Sequence, residues 1–310
     1  MHLLIPHASA LSEAGRHALR ELRLPNLAAL LAALAPAARD EADEFTLDAP
    51  HERALAALFG WQAPAGELPW GAHLAERDGI DPGTQAWGLL TPAHWHVGTD
   101  QVSLLPPEAL ALDEAASREL FALVAPLFES EGWALHWGAP LRWYAAHESL
   151  AGLPTASLDR VIGRNVDTWL SDHPQVRLIR RLQAEMQMTL YVHPSSDRRA
   201  EAGLLPVNSF WLSGCGRHQP ARPAADLVVD ERLRAPLLQD DWAGWAEAWA
   251  ALDAGPLADA RAALSRGEAV ALTLCGERAA QRFEPQSRGL LARLAGRFRT
   301  VEPADVLLGL

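Results

Sequence analysis

Apolar residues recur along this chain with two different periods, and each stretch that keeps one period marks an element. In the middle third, Ala86 to Gly98 is an apolar, tryptophan-bearing run that predicts a strand, and Leu112 to Phe128 carries apolar residues at helical spacing behind Asp113. Two short aromatic runs, Trp133 to Trp137 and Leu141 to Ala145, flank Gly138-Ala139-Pro140 and predict a hairpin. Gln175 to Val192 places Val176, Ile179, Leu182, Met186 and Leu190 on one helical face, and Val207 to Ser213 closes the set as a strand. The order is β-α-β-β-α-β, the ferredoxin-like pattern, which makes an antiparallel sheet with both helices on one face.

The flanks follow another rule. Leu3 to Pro6 predicts a short strand, followed by helices over Leu11 to Leu22, Pro25 to Ala35 and His51 to Gly60, with an acidic loop from Asp40 to Asp48. Asp226 to Val229 and Ala269 to Cys275 are continuous apolar runs of the kind buried on both faces of a parallel sheet. Helices over Trp242 to Leu252, Leu257 to Leu264 and Ser287 to Ala295 lie between or after them. The fold expected is α/β, with a core built from both chain ends (1–85 and 219–310) and an inserted β-α-β-β-α-β domain (86–218). Ala/Pro/Gly-rich joints at Gln62 to Pro69 and Gln219 to Ala225 accompany the changeover.

Composition narrows the chemistry. A chain of 310 residues, about half of them apolar, buries a large core and is not generally disordered. A formal charge of −12 opposes attachment to nucleic acid or acidic lipid, which carry the same sign. All 27 Lys-or-Arg residues are arginine, which removes Schiff-base chemistry and the P-loop lysine together. Cys215 and Cys275 are far apart and form neither a disulfide framework nor a cysteine zinc site. With no leader-like N-terminus and no apolar stretch of membrane-spanning length, a cytoplasmic protein is expected.

Candidate chemistry concentrates between His193 and Gly216, which reads as a polar loop, a strand and a Gly-x-Gly turn. Arg198 and Arg199 fall in the loop, Asn208 opens the strand, and Gly214 and Gly216 free the backbone after it, so donors for an anion could converge here. Asp159, Arg160 and Arg164 join them from an upstream loop, and Arg180, Arg181, Gln183 and Gln187 from the helix before. Guanidinium forks bind phosphate and carboxylate bidentately; the competing reading is a salt-bridged polar face. His94 and His96 are two apart on a predicted strand and share a face, with Asp100 just beyond, a partial set for Zn or Mn. The Trp242, Trp245, Trp249 and Leu252 stripe reads as core, and Cys215 as a buried thiol in a turn.

The segment with Arg198, Gly203, Pro206, Asn208, Trp211, Gly214 and Gly216 resembles one in archaeal-type cofactor-independent phosphoglycerate mutases, members of the alkaline-phosphatase-like superfamily. Leu24-Pro-Asn-Leu-Ala-Ala-Leu30 resembles the Pro-Asn-Leu segment near the start of that superfamily, and Ser157-Leu-Asp-Arg-Val-Ile-Gly163 the mutase family's Asp-Pro-His-x-x-Gly, with Arg160 in place of the proline and the histidine missing. More narrowly, Thr91 to Asp100, Ser157 to Arg164, Arg180 to Met188 and Val207 to Gly216 resemble bacterial RpfE-type regulatory proteins, or phosphoglycerate mutase homologues. The resemblance implies a metal-bearing α/β core with an inserted substrate domain. It also calls for an Asp after the first strand and late Asp and His ligands. Here the first strand ends Ile5-Pro-His-Ala-Ser9, and the last histidine is His218. The expectation is therefore a phosphoglycerate-mutase-like pseudoenzyme, regulatory or anion-binding, with no cofactor and with a small phosphate- or carboxylate-bearing ligand or a protein as partner. Two alternatives remain: an active metal-dependent phosphomutase or phosphatase with relocated ligands, and a protein-interaction module. No catalytic residue is assigned.

Overall fold

A computed structural model describes residues 1–222, 226–285 and 301–310. It divides into two compact units, one of Met1–Glu44, Ala49–Phe59 and Arg222–Leu310, the other of Phe45–Asp48 and Gly60–Ala221.

The first unit is built on a five-stranded sheet. Its apolar strand β1 (His2–Ile5) pairs in parallel with β10 (Ala271–Cys275) on one side and β9 (Leu227–Val229) on the other. β11 (Ala279–Glu284) runs antiparallel to β10, and β2 (Ala35–Glu41) antiparallel to β11, for the order β2-β11-β10-β1-β9. Two covered faces explain the continuous apolar runs of β1 and β10; β9, expected to be buried in the same way, is instead an edge strand with Val228 exposed. Leu3, Ile5, Leu272 and Leu274 face a core shared with α1 (Glu13–Glu21), α2 (Pro25–Ala33), α10 (Trp242–Leu252) and α11 (Ala258–Ser265). Leu4, Cys275 and Ala280 face the other way, onto Leu55 and Leu58 of α3 (Pro50–Phe59). Trp245, Trp249 and Leu252 are fully buried, as the stripe predicted. Buried Asp253 accepts from the backbone N–H of Asn26 and Leu27, supplying α2 with the cap that Leu24 lacks. Short helices α9 (Arg234–Leu238) and α12 (Pro303–Leu307) complete the unit. β2 was expected as a helix tail and acidic loop. Six of its seven residues are exposed, so no alternation marks it, and its charges suit an unpaired edge. The expected helix from Ser287 to Ala295 lies outside the described residues.

In the second unit, β3 (Ala86–Ala93), β6 (Ala134–Ala139), β7 (Arg142–Ala146) and β8 (Ser209–Arg217) form an antiparallel sheet in the order β6-β7-β3-β8. With α5 (Glu114–Glu129) before β6 and α7 (Val176–Tyr191) before β8, this is the ferredoxin-like strand order. Asp113 caps α5 by accepting from Ala116 N–H at 2.8 Å. Ile179, Leu182, Met186 and Leu190 of α7 pack with Leu120, Val124 and Phe128 of α5 over Leu90, Trp143 and Phe210. α4 (Trp70–Arg77), which no periodicity announced, covers the opposite face, where Ala72 and Ala75 meet Trp87 and Tyr144. That packing draws residues 60–85 into this unit rather than the core assigned to them.

Two expectations are corrected here. Gly214 and Gly216 lie inside β8 and not in a turn after it. A Cβ on Gly214, at φ +61°, would stand 2.8 Å from Trp70 Cβ, and one on Gly71 would stand 2.7 Å from the Gly88 backbone, so these glycines let α4 lie directly on the sheet. The polar loop after His193 is a helix, α8 (Pro194–Glu201), with His193 as its N-cap and Pro194 at N1.

Candidate functional site

The amphipathic pattern of α7 fixes what lies beside its buried face. With Ile179, Leu182 and Met186 turned into the core, Arg180, Gln183, Ala184 and Gln187 form a stripe toward the start of edge strand β8. Gln183 is buried, and its Nε2 donates to Phe210 O at 3.1 Å, satisfying one carbonyl of that edge. Asn208 works the same way on the other side. Its Oδ1 accepts from Trp95 N–H at 2.8 Å and its Nδ2 donates to Trp95 O at 3.0 Å, pinning β4 (Trp95–Val97) beside β8. Arg180 reaches Asp167 at 3.1 Å. A cavity of about 230 Å³ opens among these groups, with Trp95, Asn208 and Ser209 on its inner side.

Arg198 and Arg199 belong to a different cavity, of about 180 Å³, with Asp113, Glu119 and Ser195. Consecutive on α8, they project about 100° apart and have opposite surroundings. Arg198 is exposed and pairs with Glu119 at 2.5 Å. Arg199 is buried, donating from Nε to Leu205 O at 2.9 Å and from a terminal nitrogen to Leu110 O. Burial lowers its pKa from the ordinary guanidinium value, against a smaller opposing pull from Asp113.

The Asp159 to Arg164 segment is in a third place. Asp159 and Arg160 lie on the single-turn helix α6 (Leu158–Val161), and the segment attaches to β5 (Val102–Leu104) through Gly163 N–H to Leu104 O at 2.8 Å. Arg160 is buried and donates to Asp48 O at 3.3 Å, while Arg164 lies over the Trp169 ring at 5.6 Å. Asp48 Oδ2 also accepts from Gly66 N–H at 2.6 Å, so this arginine helps tie a separate strip of chain to the unit. Arg181 stands apart from all three, paired with Glu131 at 2.5 Å, so the sequence constellation is divided among four positions. Arg180, Gln183, Gln187 and Asn208 are brought together; Ser209 and Trp95, which no spacing rule singles out, complete their cavity.

His94 falls in the break between β3 and β4, so it and His96 do not share a continuous strand face. Its Nδ1–H donates to Pro206 O at 2.8 Å, while His96 and Asp100 are exposed. Among the described residues, His94, His96 and Asp100 do not converge as a metal-holding set. Cys215 is fully enclosed, and burial pushes its thiol up to about 12. In the first unit, His7 follows β1 with a left-handed backbone (φ +57°), and its ring lies 5.0 Å from that of His51 at the start of α3. Among the described residues no helix is long and apolar enough to cross a membrane.

No family profile matches the chain, and no curated protein matches it. Among solved structures it is similar to a cofactor-independent phosphoglycerate mutase from Thermoplasma acidophilum DSM 1728, at 13% identity and a TM-score of 0.39, over 100% of this chain and 99% of that one. It is also similar to the PH0037 protein from Pyrococcus horikoshii, at 14% identity and a TM-score of 0.45, over 91% of this chain and 86% of that one.

Proposed function

We propose that this chain is a phosphoglycerate-mutase-like protein of the alkaline-phosphatase-like type that lacks the family's two-metal centre and acts by binding a small anion, in a regulatory rather than catalytic role. The observation that carries this reading is the set of groups at the strand ends of the first unit. Where the resemblance calls for an aspartate after β1, the chain has His7, Ala8 and Ser9. β10 ends on Cys275, whose thiol pKa is raised by burial, and Glu277 follows, its carboxylate accepting from Leu11 N–H at 2.7 Å; after β9, Asp230 is paired with Arg232 at 2.8 Å. Two divalent ions need several converging carboxylates and imidazoles. This donor set does not fit them, and no catalytic step is derived through a metal pair. Anion binding is assigned to the inserted unit, whose cavities hold Arg180 with Asn208 and Arg198 with Arg199.

A second reading has one specific observation behind it. His7 and His51 are two imidazoles within reach of a shared ion, the beginning of a relocated single-metal site in a phosphatase or mutase. Elemental analysis of the purified protein separates the two. Less than stoichiometric zinc and manganese supports the first; a stoichiometric ion lost in His7→Ala and His51→Ala, together with metal-dependent turnover of phosphoglycerates, supports the second.

A further inference from the structure

We propose that β6 is an interaction edge and that its partner is a second copy of this chain, the two strands pairing antiparallel about His136. The sheet of the second unit ends on β8 and on β6. The outer side of β8 is answered within the chain, where Gln183 Nε2 donates to Phe210 O and Cys215 N–H donates to Thr155 Oγ1 at 3.5 Å. β6 has no such cover. His147 N–H donates to Ala86 O at 2.9 Å, which fixes Ala145 and Trp143 as the β7 residues bonded to β3 and leaves Tyr144 and Ala146 for β6. Their partners on β6 are His136 and Ala134, so the N–H and C=O groups of Leu135 and Trp137 point away from the sheet. Among the described residues nothing bonds to these backbone groups, and β6 packs chiefly on β7 and α5.

An open edge is ordinarily guarded against other strands by charge, proline or brevity. The edges of the first unit are guarded in this way: β2 carries Pro36, Arg39, Asp40 and Glu41, and β9 has only 3 residues, between Asp226 and Asp230. β6 reads Ala-Leu-His-Trp-Gly-Ala, with no charge and no proline, and its bulge falls at Gly138, beyond the stretch that would pair. The register selects the partner. In antiparallel pairing about His136, Leu135 of each copy exchanges both backbone hydrogen bonds with Trp137 of the other, and every outward group is answered. On the face toward α5 this sets leucine beside tryptophan, an apolar cross-strand pair. On the opposite face His136, whose ring lies 5.0 Å from that of Trp87, meets its own symmetry mate. Burial lowers the His136 pKa, so the two rings meet uncharged at neutral pH. No like charges are opposed along the seam. Strands this short bury less than the roughly 1,200 Å² of the smallest stable interfaces, so a dissociation constant of about 1–100 µM is expected. The pairing does not depend on whether the unit binds an anion.

Sedimentation equilibrium of the full chain at pH 8, from about 2 to 200 µM, should show a reversible monomer–dimer equilibrium. Leu135→Pro removes an outward N–H that β7 does not use, and should weaken association by about tenfold or more. Leu135→Ala trims the same side chain but keeps the N–H, and should associate markedly more tightly than Leu135→Pro. Amide hydrogen exchange of the wild type reads the same edge without a variant: Leu135 and Trp137 should be protected at 200 µM and lose that protection at 2 µM, about the two ends of the same range. A monomer at every concentration overturns the proposal. So does a dimer whose affinity Leu135→Pro leaves unchanged, or one in which the Leu135 and Trp137 amides exchange alike at both concentrations. If Leu135→Pro does not fold, the exchange result decides alone.

Discussion

Arg198 and Arg199 are neighbours in sequence with opposite structural roles, so replacing each by alanine gives the sharpest contrast available in the inserted unit. Arg199 is 7% exposed and holds two backbone carbonyls, Leu205 O and Leu110 O, that tie α8 to the chain on either side. A hydrogen bond from a charged donor contributes about 1.5 kcal/mol or more, so Arg199→Ala should cost about 3 kcal/mol. For a unit of this size that is a fall of about 6–12 °C in melting temperature. Arg198 has a side chain 56% exposed, and its partner Glu119 is also solvent-facing. Such a pair contributes about 0–1 kcal/mol, and Arg198→Ala should melt within about 4 °C of wild type. Urea denaturation, followed by far-UV circular dichroism, measures both on one scale. Equal losses in the two variants, or a neutral Arg199→Ala, would refute the division between a tie and a surface ion pair.

Other expectations follow from the same packing. Gly71→Ala gains helix propensity but drives a Cβ to 2.7 Å from the Gly88 backbone, and a net loss of about 1–3 kcal/mol is expected in urea melts. Cys215 and Cys275 are both fully buried, and burial raises the Cys215 thiol to about 12. A thiol reagent at pH 8 should therefore find neither in the native protein and both in urea. His2 bonds Thr273 Oγ1 at 2.8 Å, and burial, reinforced by Arg282, lowers its pKa to about 4. Because the unfolded chain protonates this ring first, its contribution is complete above the ordinary value of 6.5 and is lost as pH falls toward 4. His2→Gln should flatten that part of a stability-versus-pH curve; an unchanged slope would show that the ring is not involved.

Legibility in the sequence tracked burial pattern closely. The apolar run of β10 and the helical stripe on α7 are readable because long-range packing and local periodicity demand the same residues there, whereas β9 forms as a strand at the sheet edge with Val228 exposed. β2 was hidden because an exposed edge strand needs no alternation, and α4 because Gly71, Ala72 and Ala75 face the sheet with almost no side chain. The glycines of β8 looked like ligand-binding punctuation, yet their smallness serves the approach of α4. The arginine cluster was visible as composition but not as geometry. Whether Arg160 meets a ligand or the Asp48 carbonyl depends on a segment more than a hundred residues away, and no spacing rule reaches that far. Ser209 and Trp95 carry no such signal either: only the fold places this serine and tryptophan beside Asn208.

The function proposed above has the chain bind a small anion without turning over phosphoglycerates. A time course of phosphorus NMR spectra on purified full-length protein with 3-phosphoglycerate, in separate samples containing manganese, zinc and magnesium, tests it most directly. The 3-phosphoglycerate resonance is expected to persist unchanged in every sample. Sustained, metal-dependent appearance of 2-phosphoglycerate at catalytic protein concentrations would contradict it.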